Sequence, residues 1–123
     1  GQTVERIISF FPPHQHDLIR TQLSLLLQGV ISQRLVARKD GKGRVPAAEI
    51  LIASPTVKQL LAEGKTHDLI KALEEGEFYG MQSFNKSLIG FLRDGEIDLD
   101  SALLASDDPD GLKLEVRGIK KGV

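Results

Sequence analysis

The chain contains no cysteine and no tryptophan. Without thiols it can form neither a disulfide nor a thiolate metal site, and the redox compartment stays undetermined. Aromatic residues make up 5% of its 123 positions, and none falls in the most basic stretch, residues 34–44. A single-strand nucleic-acid platform needs rings among its cations, so that role has little support there. Neither sign of charge dominates. Sixteen basic residues against 17 acidic ones leave a net charge of -1, which gives no global pull toward nucleic acid or an anionic membrane. Long apolar runs are missing as well. Runs such as Leu25-Leu26-Leu27 are far short of the roughly 20 residues that a spanning helix needs. Residue 1 opens into a mixed polar segment with no signal-peptide pattern. By elimination these features fit a cytoplasmic protein. Apolar residues supply 41% of the chain, enough for one compact domain or for a domain plus a piece of a neighbour.

Val4, Ile7, Ile8 and Phe11 recur at i, i+3, i+4 and i+7, one face of a helix that begins almost at the N-terminus. A domain seldom opens inside an amphipathic helix, so Gly1 is expected to follow an experimental or proteolytic cut. Pro12-Pro13 stops that helix. A second helix is expected from about His14 to Gln28, with Ile19, Leu23, Leu26, Leu27 and Val30 as its stripe and Leu18 and Leu25 widening it. Gly29 suits the position past its end. So wide a face implies burial against a sheet. Val30–Arg38 and Arg44–Ala53 are rich in branched residues and flank Asp40-Gly41-Lys42-Gly43, which predicts a β-hairpin. Ala48, Ile50 and Ile52 would share one face, with Glu49 and Leu51 on the other, and Pro46 suggests an edge position or a late start.

From residue 54 the pattern turns helical. Ser54-Pro55 reads as a cap followed by proline at the first helical position, and Gly64 closes that helix. Thr66 can cap a second, ending at Gly76. Met81, Phe84, Leu88, Phe91 and Leu92 form a third stripe, ending at Gly95, and Asp98 caps a short fourth helix with Leu99, Ala102 and Leu103. Leu112 to Val116 alternates like a strand, or is a frayed end. The chain thus reads as α/β. Residues 1–53 look like the end of an α/β domain, 54–106 like a small helical domain, and 107–123 like a tail.

Chemistry-bearing motifs are scarce. No G-x-x-x-x-G-K-[ST] phosphate loop occurs, and Gly41-Lys42-Gly43 lies in a turn with no helix N-terminus after it to hold a phosphate. His14 and His16, two apart on a helix, diverge too far to chelate one metal readily. His67, in the first turn of a helix, reads as a capping or interface residue. No serine or cysteine nucleophile with a partnered base can be picked out. Arg34, Arg38, Lys39, Lys42 and Arg44 give the hairpin a basic tip. That tip could meet an acidic partner, or could simply keep a hairpin end soluble.

Val30-Ile31-Ser32-Gln33-Arg34-Leu35, Arg38 through Ala47, and Ala48-Glu49-Ile50-Leu51-Ile52 together resemble the hairpin of the PilT family of type IV pilus retraction (twitching-motility) ATPases. Glu63-Gly64-Lys65-Thr66-His67 and Tyr79-Gly80-Met81-Gln82-Ser83 resemble two further signatures of that family, in the expected order. The resemblance, over about residues 2–110, implies a C-terminal fragment of a secretion-type (GspE/PulE-like) P-loop ATPase. The fold would be the end of a RecA-like core including the hairpin, followed by a C-terminal helical domain. The family's Walker and histidine-box elements would lie upstream of residue 1. Thr56-Val57-Lys58-Gln59-Leu60-Leu61-Ala62-Glu63 aligns with the family's retraction motif A-I-R-N-L-I-R-E. Leu60 and Glu63 are kept, whereas Thr56 and Ala62 depart from it, so the loss of the second arginine points to a paralogue with a modified output. His67, Gly80 and Met81 carry the other motifs. The resemblance and their place in a core strand put Gln33 and Arg34 near the nucleotide edge.

The resemblance also implies a full-length protein that uses ATP and Mg2+, forms a homo-hexamer, acts on the inner-membrane platform protein at the cytoplasmic side of the pilus base, and does not use nucleic acid. A competing reading is a stand-alone interaction module that binds an acidic partner or nucleic acid through the basic hairpin. The chain alone lacks phosphate-cradling amides and is expected neither to bind ATP tightly nor to hydrolyse it. Apolar surface on Val4–Phe11 and Ile19–Val30 is expected to make it self-associate.

Overall fold

The computed structural model describes residues 2–65 and 67–121. The elements are α1 (Gln2–Ser9), a 3-10 turn (Pro13–Gln15), α2 (His16–Leu26), β1 (Gly29–Ala37), β2 (Arg44–Ile52), α3 (Pro55–Glu63), α4 (His67–Glu75), a second 3-10 turn (Gly76–Tyr79), α5 (Phe84–Arg93), α6 (Leu99–Ala105) and α7 (Pro109–Lys121). The fold is mixed α/β, with β1 and β2 forming a two-stranded hairpin.

The hairpin keeps one register along its length. The Arg38 amide donates to the Gly43 carbonyl at 3.0 Å beside the turn, and the Ala53 amide donates to the Gln28 carbonyl at 3.0 Å at the open end. That register sets Val36 across from Val45 and Val30 across from Leu51. Asp40 shapes the turn by accepting the Lys42 amide at 2.8 Å. The odd-numbered residues of β2 bond β1, so the even-numbered amides point to the other edge. There Ala48 donates to the Ser87 hydroxyl at 3.1 Å. Ile50 exchanges a pair of bonds with Gln82, at 2.8 and 2.9 Å. Pro46 lies on the same edge, where its missing N–H leaves nothing to satisfy.

Packing divides the chain into two compact units. One comprises 1–32 with 50–82, and the other comprises 33–49 with 83–123. The residue 53 boundary read from the sequence falls inside the first of these. In the first unit Val4, Ile8, Leu51, Val57, Leu61, Leu69, Leu73 and Met81 form the core. In the second, Val36, Val45, Ala47, Phe84, Leu88, Ile89, Ile97, Ala102 and Leu112 do so.

Three expectations are corrected. Residues 112–116 are helical, inside α7. Asp108-Pro109 starts that helix: Asp108 Oδ1 accepts the Gly111 amide at 3.1 Å, and proline takes the first helical position. Leu112 is fully buried and Val116 packs beside it, while Leu114 faces solvent. The cap and the helical hydrogen bonding, not the alternation, decide the structure here. Met81 does not continue the α5 stripe. Ser83 caps α5 by accepting the Lys86 amide, and Met81, before that cap, packs in the other unit's core. Helix α2 begins at His16 after the 3-10 turn and ends at Leu26. Ile19, Leu23 and Leu27, spaced by four, pack inward, whereas Leu18, Leu25 and Leu26 stay exposed. It packs against α3 and α1, and Ile19, Leu23 and Leu27 share their core with Val30 and Leu51 of the hairpin.

Helix α3 matches its expected start and end. The Ser54 side chain accepts the Val57 amide and Gly64 closes the helix in the left-handed region at φ 70°, where a residue with a Cβ is disfavoured. Val57 is 0% exposed and Leu61 2%, whereas Leu60 is half-buried. We therefore expect Leu61→Ala to lower unfolding free energy by about 2–5 kcal/mol, and Leu60→Ala to cost clearly less. Urea denaturation of both variants checks this. Equal losses would mean that Leu60 is as deeply packed as Leu61.

Candidate functional site

Helix α3 carries the eight residues of the motif stretch, and its inward side is taken by Val57 and Leu61. Thr56, Gln59, Ala62 and Glu63 are placed around the rest of the helix, and Lys58 is half-buried. Glu63 is not free. Gln59 Nε2 donates to its Oε1 at 3.0 Å, and Lys65 Nζ lies 3.0 Å from its Oε2. The hydrogen bond from Gln59, followed by those from Lys65, holds the Glu63 carboxyl below the ordinary glutamate value. Arg20 of α2 reaches this end of the helix. Its Nε stands 3.2 Å from where a Cβ on Gly64 would be, while its terminal nitrogens approach Asp17 at 3.5 Å and Glu5 at 3.9 Å.

The stretch Tyr79-Gly80-Met81-Gln82-Ser83 performs several structural tasks in succession. Gly80 turns the chain at φ 84°. Met81 is buried and its amide donates to the Gly76 carbonyl at 3.2 Å. Gln82 pairs with Ile50 on the hairpin edge, and Ser83 caps α5. This signature is thus accounted for by backbone geometry and packing. His67 begins α4. Its side chain, and Thr66 as a cap, lie outside the described residues.

Gln33 is exposed on β1. Arg34 is engaged within its own unit: Nη1 donates to the Ala105 carbonyl at 2.6 Å, Nη2 lies 2.7 Å from Asp107 Oδ1, and the guanidinium carbon sits 4.4 Å from the centroid of the Phe84 ring. Such a stack contributes on the order of 0.5–1 kcal/mol when partly exposed. Buried Asn85 supports the same corner, with Nδ2 donating to the Asp108 carbonyl at 3.1 Å and Oδ1 accepting from the Ser106 hydroxyl. Burial pushes the nearby Glu49 carboxyl up; the Asp107 carboxylate adds to that shift and the Arg34 guanidinium opposes it. Sequence reasoning gave Asn85 and Asp107 no role and placed Phe84 only in an apolar stripe. The Asp108-Pro109 cap, like Ser54-Pro55, was the available signal that the chain turns there into another helix.

No phosphate loop occurs in the chain, and among the described residues no cluster of three His, Cys, Asp or Glu could hold a metal. His16 Nε2 instead lies 2.8 Å from the Phe11 carbonyl, and His14 is exposed. At the basic tip, Arg38 pairs with Asp40 at 3.4 Å and with Glu96 at 3.8 Å. The Lys39 amide donates to the Glu96 carbonyl at 2.8 Å. Among the described residues, no helix is long and apolar enough to cross a membrane.

No protein-family model matches the chain. Among solved structures it is similar to the pilus retraction motor PilT with bound ADP, with a TM-score of 0.76 and 36% identity over 91% of this chain and 31% of that one. The fold therefore places it with the C-terminal part of the PilT-like ATPases. Within that class it is homologous to the type IV pilus and twitching-motility ATPases. It is 35% identical to the type IV pilus ATPase PilU of Pseudomonas aeruginosa over 117 residues, 95% of this chain and 31% of that protein. It is 41% identical to a twitching motility protein of Neisseria gonorrhoeae over 102 residues, 83% of this chain and 27% of that protein. The chain thus spans about three-tenths of the length of these relatives.

The pair at the end of α3 sets a pH dependence. A carboxylate whose folded value is depressed stabilises the fold above its unfolded value and loses that contribution as pH falls through the folded one. Glu63 should therefore titrate below the ordinary 4.5 of a glutamate, and Lys65→Met should raise it toward that figure. Carbon-detected NMR titration measures both. An unchanged value in Lys65→Met would remove Lys65 as a cause.

Proposed function

We propose that the protein carrying this chain is a homo-hexameric P-loop ATPase that powers type IV pilus retraction and twitching motility. ATP and Mg2+ bind in parts of the protein outside this chain. Hydrolysis drives a domain rotation that removes pilin at the pilus base, on the cytoplasmic side of the inner membrane and against its platform protein. Residues 1–53 close the RecA-like core, and the helices that follow, α7 included, form the C-terminal domain. This chain contributes subunit contacts and, through α3, force transmission. The exposed side chain of Gln33 is the one open to the nucleotide edge in this reading.

The observation that carries the reading is the likeness to the retraction motor PilT over 91% of the chain, together with the packing of α3. That helix buries Val57 and Leu61 and leaves Lys58 and Glu63 at or near the surface. A transmitting helix needs both features: a packed side that fixes it and a polar side that meets something else. Exposed charges contribute little to folding, so polar changes here can be read as changes in output.

In the full-length protein, Lys58→Ala and Glu63→Ala should impair twitching more than ATP hydrolysis, with the folded fraction unchanged. The test compares phosphate release and twitching-zone diameter for both variants and their parent. Proportional loss of the two activities would point to a catalytic or assembly defect and defeat transmission through α3. Unimpaired twitching in either variant would show that its side chain is not needed.

A further inference from the structure

We propose that Arg34 is a positioning residue, a latch that holds the α6–α7 corner against strand β1, and that motor output depends on this latch and not on any contact between Arg34 and nucleotide. The inference rests on the motor reading and deepens it.

The latch joins residues far apart in sequence. Arg34 reaches the last residue of α6 through the Ala105 carbonyl, the following loop through Asp107, and the first residue of α5 through the face of Phe84. The Ala105 carbonyl is one of the final four that a helix cannot satisfy internally, and a cation at that end also meets the negative pole of the helix. An apolar side chain could cover Phe84 but could bond neither the carbonyl nor the carboxylate. Lysine could neutralise Asp107 as a point charge but lacks the planar fork that serves two acceptors while stacking on a ring.

The corner is held from a second direction. Asn85 is 7% exposed and ties the Asp108 carbonyl to the Ser106 hydroxyl. That hydroxyl in turn accepts the Asp108 amide at 3.0 Å. Residues 105–108 are therefore fixed by Arg34 and Asn85 together, and α7 begins from that fixed point. Both terminal nitrogens of Arg34 already have partners, so binding a phosphate would require giving up Asp107. That makes a nucleotide-ligand role for Arg34 the weaker reading of this residue.

The experiment uses the full-length protein with Arg34→Met, Asp107→Asn and the double variant. Steady-state ATPase assays give kcat and KM for ATP, twitching gives output, and hydrogen exchange follows the Leu112 amide, which bonds the Asp108 carbonyl at 3.0 Å. Each single variant should lose twitching and exchange faster at Leu112, Arg34→Met more than Asp107→Asn because it also gives up the Ala105 and Phe84 contacts, with KM for ATP unchanged. The double variant should be no worse than Arg34→Met alone, because the contribution of Asp107 acts through Arg34. A raised KM in Arg34→Met but not in Asp107→Asn would make Arg34 a nucleotide contact and overturn the proposal. Full twitching in Asp107→Asn would overturn it too. A parent protein with neither ATPase activity nor twitching would defeat the motor reading. Faster exchange at Leu112 in the variants would then still report the latch, and unchanged exchange would refute it.

Discussion

The register of one hairpin governs how both cores are filled. Because side chains alternate along a strand, the choice that puts Val36 opposite Val45 also puts Val30 opposite Leu51. Val36, Val45 and Ala47 then enter one core and Leu51 the other. A slip of one residue in β1 would turn Val30 and Val36 outward and carry exposed Ile31 and Leu35 inward instead. The turn at Asp40–Gly43 sets that register at one end, through the Asp40 carboxylate and the Arg38–Gly43 bond. The bond between Ala53 and Gln28 repeats it at the other. Ser87 and Gln82 then take the Ala48 and Ile50 amides of the β2 edge that β1 leaves free.

Helix starts form the second level of control. Ser54, Ser83, Asp98 and Asp108 each accept an amide three residues ahead, and a missing cap costs about 1 kcal/mol. These caps decide where a continuous apolar pattern is cut. Ser83 separates Met81 from Phe84 and so sends two neighbouring apolar residues into different cores. The conformation of the Tyr79–Ser83 stretch is explained by this division of backbone bonds.

Much of this was legible in the chain itself. Turn chemistry at residues 40–43 placed the hairpin, and Ser54-Pro55 with Gly64 bounded α3, because these signals act within a few residues. The α7 segment was misread because Leu112, Leu114 and Val116 alternate like a strand, while Leu112 and Val116, four apart, also suit one face of a helix, and the deciding cap lay just upstream at Asp108-Pro109. The exposed Leu18, Leu25 and Leu26 could not be separated from Ile19, Leu23 and Leu27 by hydrophobicity alone, since the packed stripe is set by α1 and α3. In the candidate site, hydrophobicity alone does not rank Val57, Leu60 and Leu61, of which Val57 and Leu61 are buried and Leu60 is half-buried. The partners of Arg34 were invisible for a plain reason: Ala105 lies 71 residues away, and nothing local to Arg34 announces it.

If this chain is part of a motor that withdraws type IV pili, the pili themselves report it. Fluorescently labelled pili, imaged in a host lacking the gene for this protein and in the same host with it restored, give the most direct test. Deletion should leave pili extended on the surface with retraction events lost or weakened, and the restored gene should bring those events back. Normal retraction in the deletion strain would contradict the motor role, and a complete loss of pili would assign the protein to assembly instead.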